Sequence, residues 1–362
     1  MSLILFINIA ALAFVNSFVF FRLYYLIKEK SYKISLSLSI GSLLVFVPLL
    51  IASFYCDFVF LRAFLLYYFT FVFLLFFISL FFLIIFSFEK LKHKKRQQLI
   101  CIILTLFIYV TYGIFNANDF VVKEINLKSD KISSSIKFVQ ISDIHIGSEH
   151  ASYLEKIVDK INTIEKNFVV ITGDLLDTES TEYDDLKSLN KIDVPVYFVI
   201  GNHEVFANKG IDFFDNLNLI ILNNEKVTFN DEFEIIGINF YDPNGGFDPL
   251  DVSRLLENIK IDNSKYNLLL NHEPNQLNHV VDKKIDLQLS GHTHNGQIWP
   301  FNYLVKLRYK YMNGLYNLNK HTSLYVSSGV GAWGPNIRTG SKNEIVLFNL
   351  EAHSKLSSST HK

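Results

Sequence analysis

Four long uncharged apolar runs, at 2–21, 34–56, 63–88 and 99–116, precede the polar remainder of this 362-residue chain. A helix needs roughly 20 apolar residues to cross the hydrocarbon core of a bilayer. A surface helix of a soluble protein would show a polar face, and these runs show none. Residues 1–116 are therefore expected to form a membrane domain of four helices. The first run lacks a basic segment before it, which favours a span over a cleaved signal peptide. Arg22 and Arg62 stand at run ends, where long cationic side chains reach the head groups.

The loops predict an orientation. Lys28, Lys30 and Lys33 separate the first two runs, and Lys90, Lys92, Lys94, Lys95 and Arg96 separate the last two. Between the second and third runs stand only Asp57 and, nearby, Arg62. Basic loops stay in the cytoplasm, so one outward span after residue 96 makes everything beyond Asn116 extracytoplasmic.

Composition agrees with a divided chain. Half of the residues are hydrophobic and 34 are phenylalanine, while the net charge is only -1. That average hides a split, because nearly all acidic residues lie after Asn116. No basic surface of the kind that nucleic acids require is visible. Cys56 and Cys101 both lie in apolar runs, which excludes a disulfide framework and leaves the compartment open.

After Asn116 the pattern changes. Residues 117–135 read as a polar linker, 136–352 as the folded domain, and 353–362 as a Ser- and Lys-rich tail without a fold. Apolar strand patterns are expected at 136–142, 168–172, 194–200, 219–222, 234–239, 267–270, 285–289, 324–327 and 344–350. Leu154, Ile157, Val158, Ile161 and Ile164 recur at helical spacing. Strand, helix and strand with polar residues at the carboxyl ends is an α/β pattern, in which ligands bind beyond those ends.

Five polar blocks fall at predicted strand ends. They are "SDIH" with Asp143 and His145, "TGDLLD" with Asp174 and Asp177, and "GNHE" with Asn202 and His203. "NHEP" with His272 and "GHTH" with His292 and His294 complete them. Singly each has a bland reading: a surface turn, a core histidine, or a helix-start carboxylate for Asp177. Jointly they offer carboxylate, carboxamide and imidazole without thiolate. That mixture suits Mn, Fe or Zn better than Ca.

The blocks resemble those of the calcineurin-like metallophosphoesterases: D-x-H, G-D-x-x-D, G-N-H-E, H and G-H-x-H in that family's order, over roughly 136–350. The chain is most similar to a membrane-anchored bacterial branch, through "GQIWPF" at 296–301 and "SSGVGAWGPNIR" at 327–338. Ala332 fills a place that another small residue usually holds there. The resemblance implies a two-sheet sandwich flanked by helices (αββα) and two metal ions. Asp143, His145, Asp174 and His294 would hold one ion. Asp174, Asn202, His272 and His292 would hold the other, with Asp174 bridging. His203 would stabilise or protonate the leaving oxygen, with Asp177 orienting its ring.

The implied chemistry is hydrolysis of a phosphomonoester or phosphodiester. Two cations about 3.5–4 Å apart neutralise the phosphoryl oxygens and acidify a bridging water, whose hydroxide attacks phosphorus. A tethered site suggests a membrane lipid or envelope-polymer phosphoester as substrate. A UDP-diacylglucosamine-type pyrophosphohydrolase is an alternative, opposed by the expected topology. A non-catalytic membrane sensor would be marked by lost ligands, and none is lost. A transporter is disfavoured because the four runs contain no Asp, Glu, Lys or His.

One aromatic segment stays open. Trp299, Phe301, Tyr303, Tyr309, Tyr311, Tyr316 and Trp333 cluster around Lys306, Arg308 and Lys310. They could pack a core or form a cap at the membrane surface.

Overall fold

The computed structural model describes residues 3–28, 37, 40–41, 48, 59–87, 94–240 and 252–353. Most of the second apolar run, Lys30, Lys33, Lys90 and Lys92 of the basic loops, Cys56, residues 241–251 and the tail after His353 lie outside the described residues. Two compact units are present, Met1–Tyr112 and Gly113–Lys362.

The first unit holds α1 (Leu3–Lys28), α2 (Val59–Ile85) and most of α3 (Lys95–Ala117). Its buried residues include Val19, Leu26, Val72, Leu75 and Ile102. Among the described residues, two helices are long and apolar enough to cross a membrane: Tyr67–Ile85 within α2, and α3. The apolar stretch Leu12–Ile27 of α1 is shorter.

The second unit is built from two mixed six-stranded sheets. In chain order its strands are β1 (Phe120–Ser129), β2 (Ile136–Ile141), β3 (Phe168–Thr172), β4 (Val196–Val199), β5 (Ile220–Ile221) and β6 (Glu225–Asn230). They continue as β7 (Phe233–Ile238), β8 (Tyr266–Asn271), β9 (Leu287–Ser290), β10 (Gly314–Asn317), β11 (Ser323–Val326) and β12 (Asn343–Ala352). The helices are α4 (Ala151–Asn162), α5 (Tyr183–Leu186), α6 (Asn202–Phe206), α7 (Val252–Asn258), α8 (Leu277–Asp282) and α9 (Phe301–Arg308). One sheet runs β1-β12-β2-β3-β4-β5 and the other β10-β11-β9-β8-β7-β6. Strands β2 to β5 are mutually parallel, as are β7, β8, β9 and β11.

The layers follow from which side chains are apolar on which face. Between the sheets Phe138 stacks on Phe168 and Phe348, with ring centroids 5.0 and 4.9 Å apart. Phe233, Leu268, Leu287 and Tyr325 of the second sheet complete that core. Leu154, Ile157, Val158 and Ile161 of α4 pack against the outer face of the first sheet. Leu256 of α7 and Val280 of α8 cover the outer face of the second. This is the two-sheet sandwich flanked by helices expected from the sequence.

The reading of 117–135 as a linker needs correction. Helix α3 ends at Ala117, and the ten-residue strand β1 begins at Phe120 and pairs in parallel with β12. Lys123, Glu124 and Lys128 dilute its apolar pattern, yet Phe120 and Val122 pack on one core and Ile125 and Leu127 on the other. Its partner strand lies more than 200 residues away in the chain, beyond the reach of local pattern. The turn at 133–135 is also held, because Ser133 donates from its backbone N–H and its hydroxyl to Glu232. Only Asn118 and Asp119 therefore separate the helix from the sheet.

Candidate metal centre

The parallel strands deliver the polar blocks to one place. Asp143 and His145 follow β2, Asp174 and Asp177 follow β3, and Asn202 and His203 open α6 just after β4. From the other sheet, His272 follows β8, and His292 and His294 follow β9. Every candidate site residue thus lies just beyond the carboxyl end of a strand, where α/β folds bind ligands.

Two donor clusters result. In the first, His145 Nε2 lies 3.0 Å from His294 Nε2, and His294 Nε2 lies 3.5 Å from Asp143 Oδ1. In the second, Asn202 Oδ1 lies 3.0 Å from His272 Nε2 and 2.8 Å from His292 Nδ1, and the two ring nitrogens are 3.1 Å apart. Asp174 Oδ2 stands between them, 3.1 Å from His272 Nε2 and 3.8 Å from His145 Nε2. All seven residues are buried or nearly so, and Asp143 Oδ2 is a buried oxygen without a hydrogen-bond partner. Converging lone pairs and a bare buried carboxylate oxygen are costly unless a cation satisfies them. The donor set fits divalent metal ions.

Neighbouring groups fix which nitrogen faces inward. His272 Nδ1 donates to the Thr172 carbonyl at 2.8 Å, which turns Nε2 inward. Burial opposes a charge on this ring, but Asp174 and then Asp143 outweigh it and raise it to about 10, so a cation held there would displace the Nε2 proton. His292 is turned the other way. Its Nε2 lies 2.8 Å from the Tyr309 hydroxyl, which itself donates to Glu273 Oε1 at 2.9 Å, so Nδ1 faces the centre. Burial and then the charge on His272 lower His292 to about 3, which keeps it neutral. His294 is held well below its ordinary range by burial, by His145 and by Arg338, whose Nη2 lies 3.0 Å from Nδ1. Neutral imidazole is the form that ligates metals.

The carboxylates are set with similar care. Burial raises Asp143, and Asp174 adds to that rise while His272 opposes it. Burial also works against an ionised Asp174, but His272, His203 and His145 outweigh it and hold the group well below its usual range. Asp174 Oδ1 accepts from the His203 backbone at 2.9 Å, and Asp143 Oδ1 accepts from that of His292 at 2.8 Å. Glu204 accepts from the backbones of Asp174, Leu176 and Gly201, so one carboxylate staples two site loops together.

The backbone is strained where these side chains turn inward. Asp143, His145, Asp174, His292 and His294 all take left-handed conformations, with φ of 53, 56, 54, 69 and 48°. Such conformations cost non-glycine residues roughly 1–3 kcal/mol each and cluster at functional sites. Gly291 is needed for contact rather than conformation: a Cβ there would collide with Ser142 and Asp143.

His203 is not among the seven, although its ring converges with His145 and Asp174 as a third group of potential ligands. Its Nδ1 lies 2.7 Å from Asp177 Oδ1, and its ring meets Phe206 and Trp333 edge-on. The Ser148 hydroxyl also donates to Asp177. Sequence reasoning assigned no role to Glu204, Glu273, Tyr309 or Arg338. The glutamates stood in the quoted blocks, each directly after a histidine, and were the available signal.

Comparison with known proteins agrees with this geometry. Residues 136–296 match the family profile of the calcineurin-like phosphoesterases. An uncharacterized metallophosphoesterase of Campylobacter jejuni is 35% identical over 64% of this chain and 63% of its own length. One from Helicobacter pylori is 37% identical over 63% of each. A bovine "transmembrane protein with metallophosphoesterase domain" is 32% identical over 60% of this chain and 54% of its own length. The matched region thus spans under two thirds of these relatives. Residues 136–296 thus form a calcineurin-like phosphoesterase domain.

Tyr309→Phe removes the hydroxyl that orients His292 and keeps the ring. The full-length variant is expected to bind Mn²⁺ or Zn²⁺ roughly 10–100-fold more weakly, the usual cost of losing a ligand's outer partner. Competition against a chelating dye measures it, and unchanged affinity would remove Tyr309 from the support of the centre.

Proposed function

We propose that the chain is a membrane-anchored phosphoester hydrolase with a centre for two divalent cations of the Mn, Fe or Zn kind. Its substrates are phosphomonoesters or phosphodiesters, with a lipid or envelope phosphoester as the natural one. The observation that supports this best is the carboxylate of Asp174 standing between the two donor clusters, 3.8 Å from His145 and 3.1 Å from His272, set beside the His203–Asp177 pair. Asp143, His145, Asp174 and His294 would hold one ion, and Asp174, Asn202, His272 and His292 the other. Ions held there supply charge neutralisation for the phosphoryl oxygens and acidify water.

The chain's own groups do the rest. Asn202 contributes a neutral oxygen, which limits how far the site's negative charge offsets the cations. Burial opposes a charge on His203, but Asp174 and Asp177 outweigh it and raise the ring to about 9. The ring therefore carries a proton near neutral pH. Asp177 occupies Nδ1, which leaves Nε2 to give its proton to the departing oxygen. Phe206 and Trp333 meet the same ring edge-on.

His203→Ala is expected to keep its metals and lose roughly 10²–10⁴ in rate, the range of general acid catalysis. Esters with a nitrophenolate leaving group should lose less, because they need little protonation. Equal losses for good and poor leaving groups would contradict the acid role.

By the positive-inside rule, the basic loops support a reading in which the domain lies outside the cytoplasm. A cysteine replacing exposed Lys320, with Cys56 and Cys101 changed to serine, is expected to react with an impermeant maleimide in intact cells. Labelling only after lysis would reverse the orientation.

A further inference from the structure

Helix α9 has no buried residue, although it lies between the G-H-T-H loop and Tyr309. Helices of this length are stabilised mainly by packing an apolar face, and this one half-buries Phe301 and Val305 but turns its other apolar side to solvent. Tyr303, Leu304 and Leu307 share one side at helical spacing and are 61, 51 and 85% exposed. Trp299, two residues before the helix, is 49% exposed. Single exposed leucines are ordinary, but a contiguous patch of this kind marks a contact surface.

Charge selects the occupant. Lys306, Arg308 and Lys310 are exposed on the same segment, and no acidic residue occurs from Trp299 to Tyr316. Leucine and tryptophan beside lysine and arginine is the composition of helices that lie in the interface of an anionic bilayer. Chain connectivity keeps such a surface in reach, since two residues separate α3 from β1. Beyond the charged end of α9, a cleft of about 280 Å³ is lined by Arg308, Lys310, Tyr309 and Glu273. Tyr309 and Glu273 are the two groups that orient His292. The apolar patch, the cations and the ligand support thus follow one another along a single segment.

We propose that α9 is an interfacial helix that seats on an anionic lipid surface through Tyr303, Leu304 and Leu307, and that the centre takes phosphoesters of lipid head groups from that surface. The choice of substrate rests on the phosphoesterase reading above; the seating of α9 does not.

The chain's two tryptophans make a direct test possible, because Trp333→Phe leaves Trp299 as the sole reporter. The full-length variant is reconstituted into phosphatidylglycerol vesicles with plain or brominated acyl chains. Trp299 emission is expected to be lost to bromine, and to be recovered when Leu304 and Leu307 are both replaced by Glu. Leu307→Phe, which keeps the apolar face, should stay quenched. Equal emission in plain and brominated vesicles would overturn the seating, as would quenching that survives the double Glu substitution. Cross-linking of α9 to a second copy with Trp299 unquenched would overturn it in favour of self-association. In the same vesicles the double Glu variant should lose activity on a lipid phosphoester relative to its activity on a soluble nitrophenyl ester. Equal loss on both would overturn the lipid substrate class while the emission data decide the seating. Absence of hydrolysis by the unsubstituted protein would instead mark failure of the phosphoesterase reading.

Discussion

The carboxylate of Asp174 is the group on which the rest of the domain depends. It is buried beside three histidine rings, where an ionised carboxylate survives only if its charge is matched. His272, His203 and His145 lower its pKa, the His203 backbone donates to one oxygen, and the other faces both donor clusters. The space around it is equally determined. A side chain at Gly201 would collide with Asp174, and Gly173 just before it needs φ of +88°. Glu204 then ties the Asp174 loop to the one after β4.

The sandwich explains how such a cluster can be rigid. Each sheet alone would present a row of strand ends too far from the other's to share an ion. Packing the two on the stacked Phe138, Phe168 and Phe348 rings brings the ends of β2, β3 and β4 together with those of β8 and β9. The first sheet supplies the oxygens and His145, and the second supplies His272, His292 and His294. Five strained backbone positions are tolerated because the layers around them are closely packed. Binding geometry held by packed strands is more exact than geometry held by loops alone.

Much of this was legible in the sequence, and the failures have physical causes. The apolar runs ending in polar blocks foretold β2, β3, β4, β8 and β9, since strands buried on both faces read as continuous apolar stretches. The spacing of Leu154, Ile157, Val158 and Ile161 foretold α4. Strand β1 escaped because it is a half-buried edge with charged residues and a distant partner. Strands β6 and β10 are likewise edges with alternating exposure. The motif Asn-His-Glu occurs twice, at 202–204 and 271–273, and no local rule says which residue faces inward. In the first, Asn202 meets His272 and His292 while His203 turns to Asp177; in the second, His272 faces the centre and Asn271 bonds its own turn. The roles of Tyr309 and Arg338 depend on contacts across 17 and 44 residues, which the sequence pattern does not encode. The aromatic segment divided between two readings, and the exposed face of α9 favours a surface over a core for that part.

The central claim is that one carboxylate serves two metal ions. Elemental analysis of the full-length protein, purified in detergent after supplementation with Mn²⁺ or Zn²⁺, tests it most directly when set beside Asp174→Ala. About two ions per chain are expected for the unaltered protein, the stoichiometry of two-metal hydrolytic centres. The variant, still folded by circular dichroism, should retain essentially none. A metal-free unaltered protein, or a variant that keeps both ions, would contradict the account.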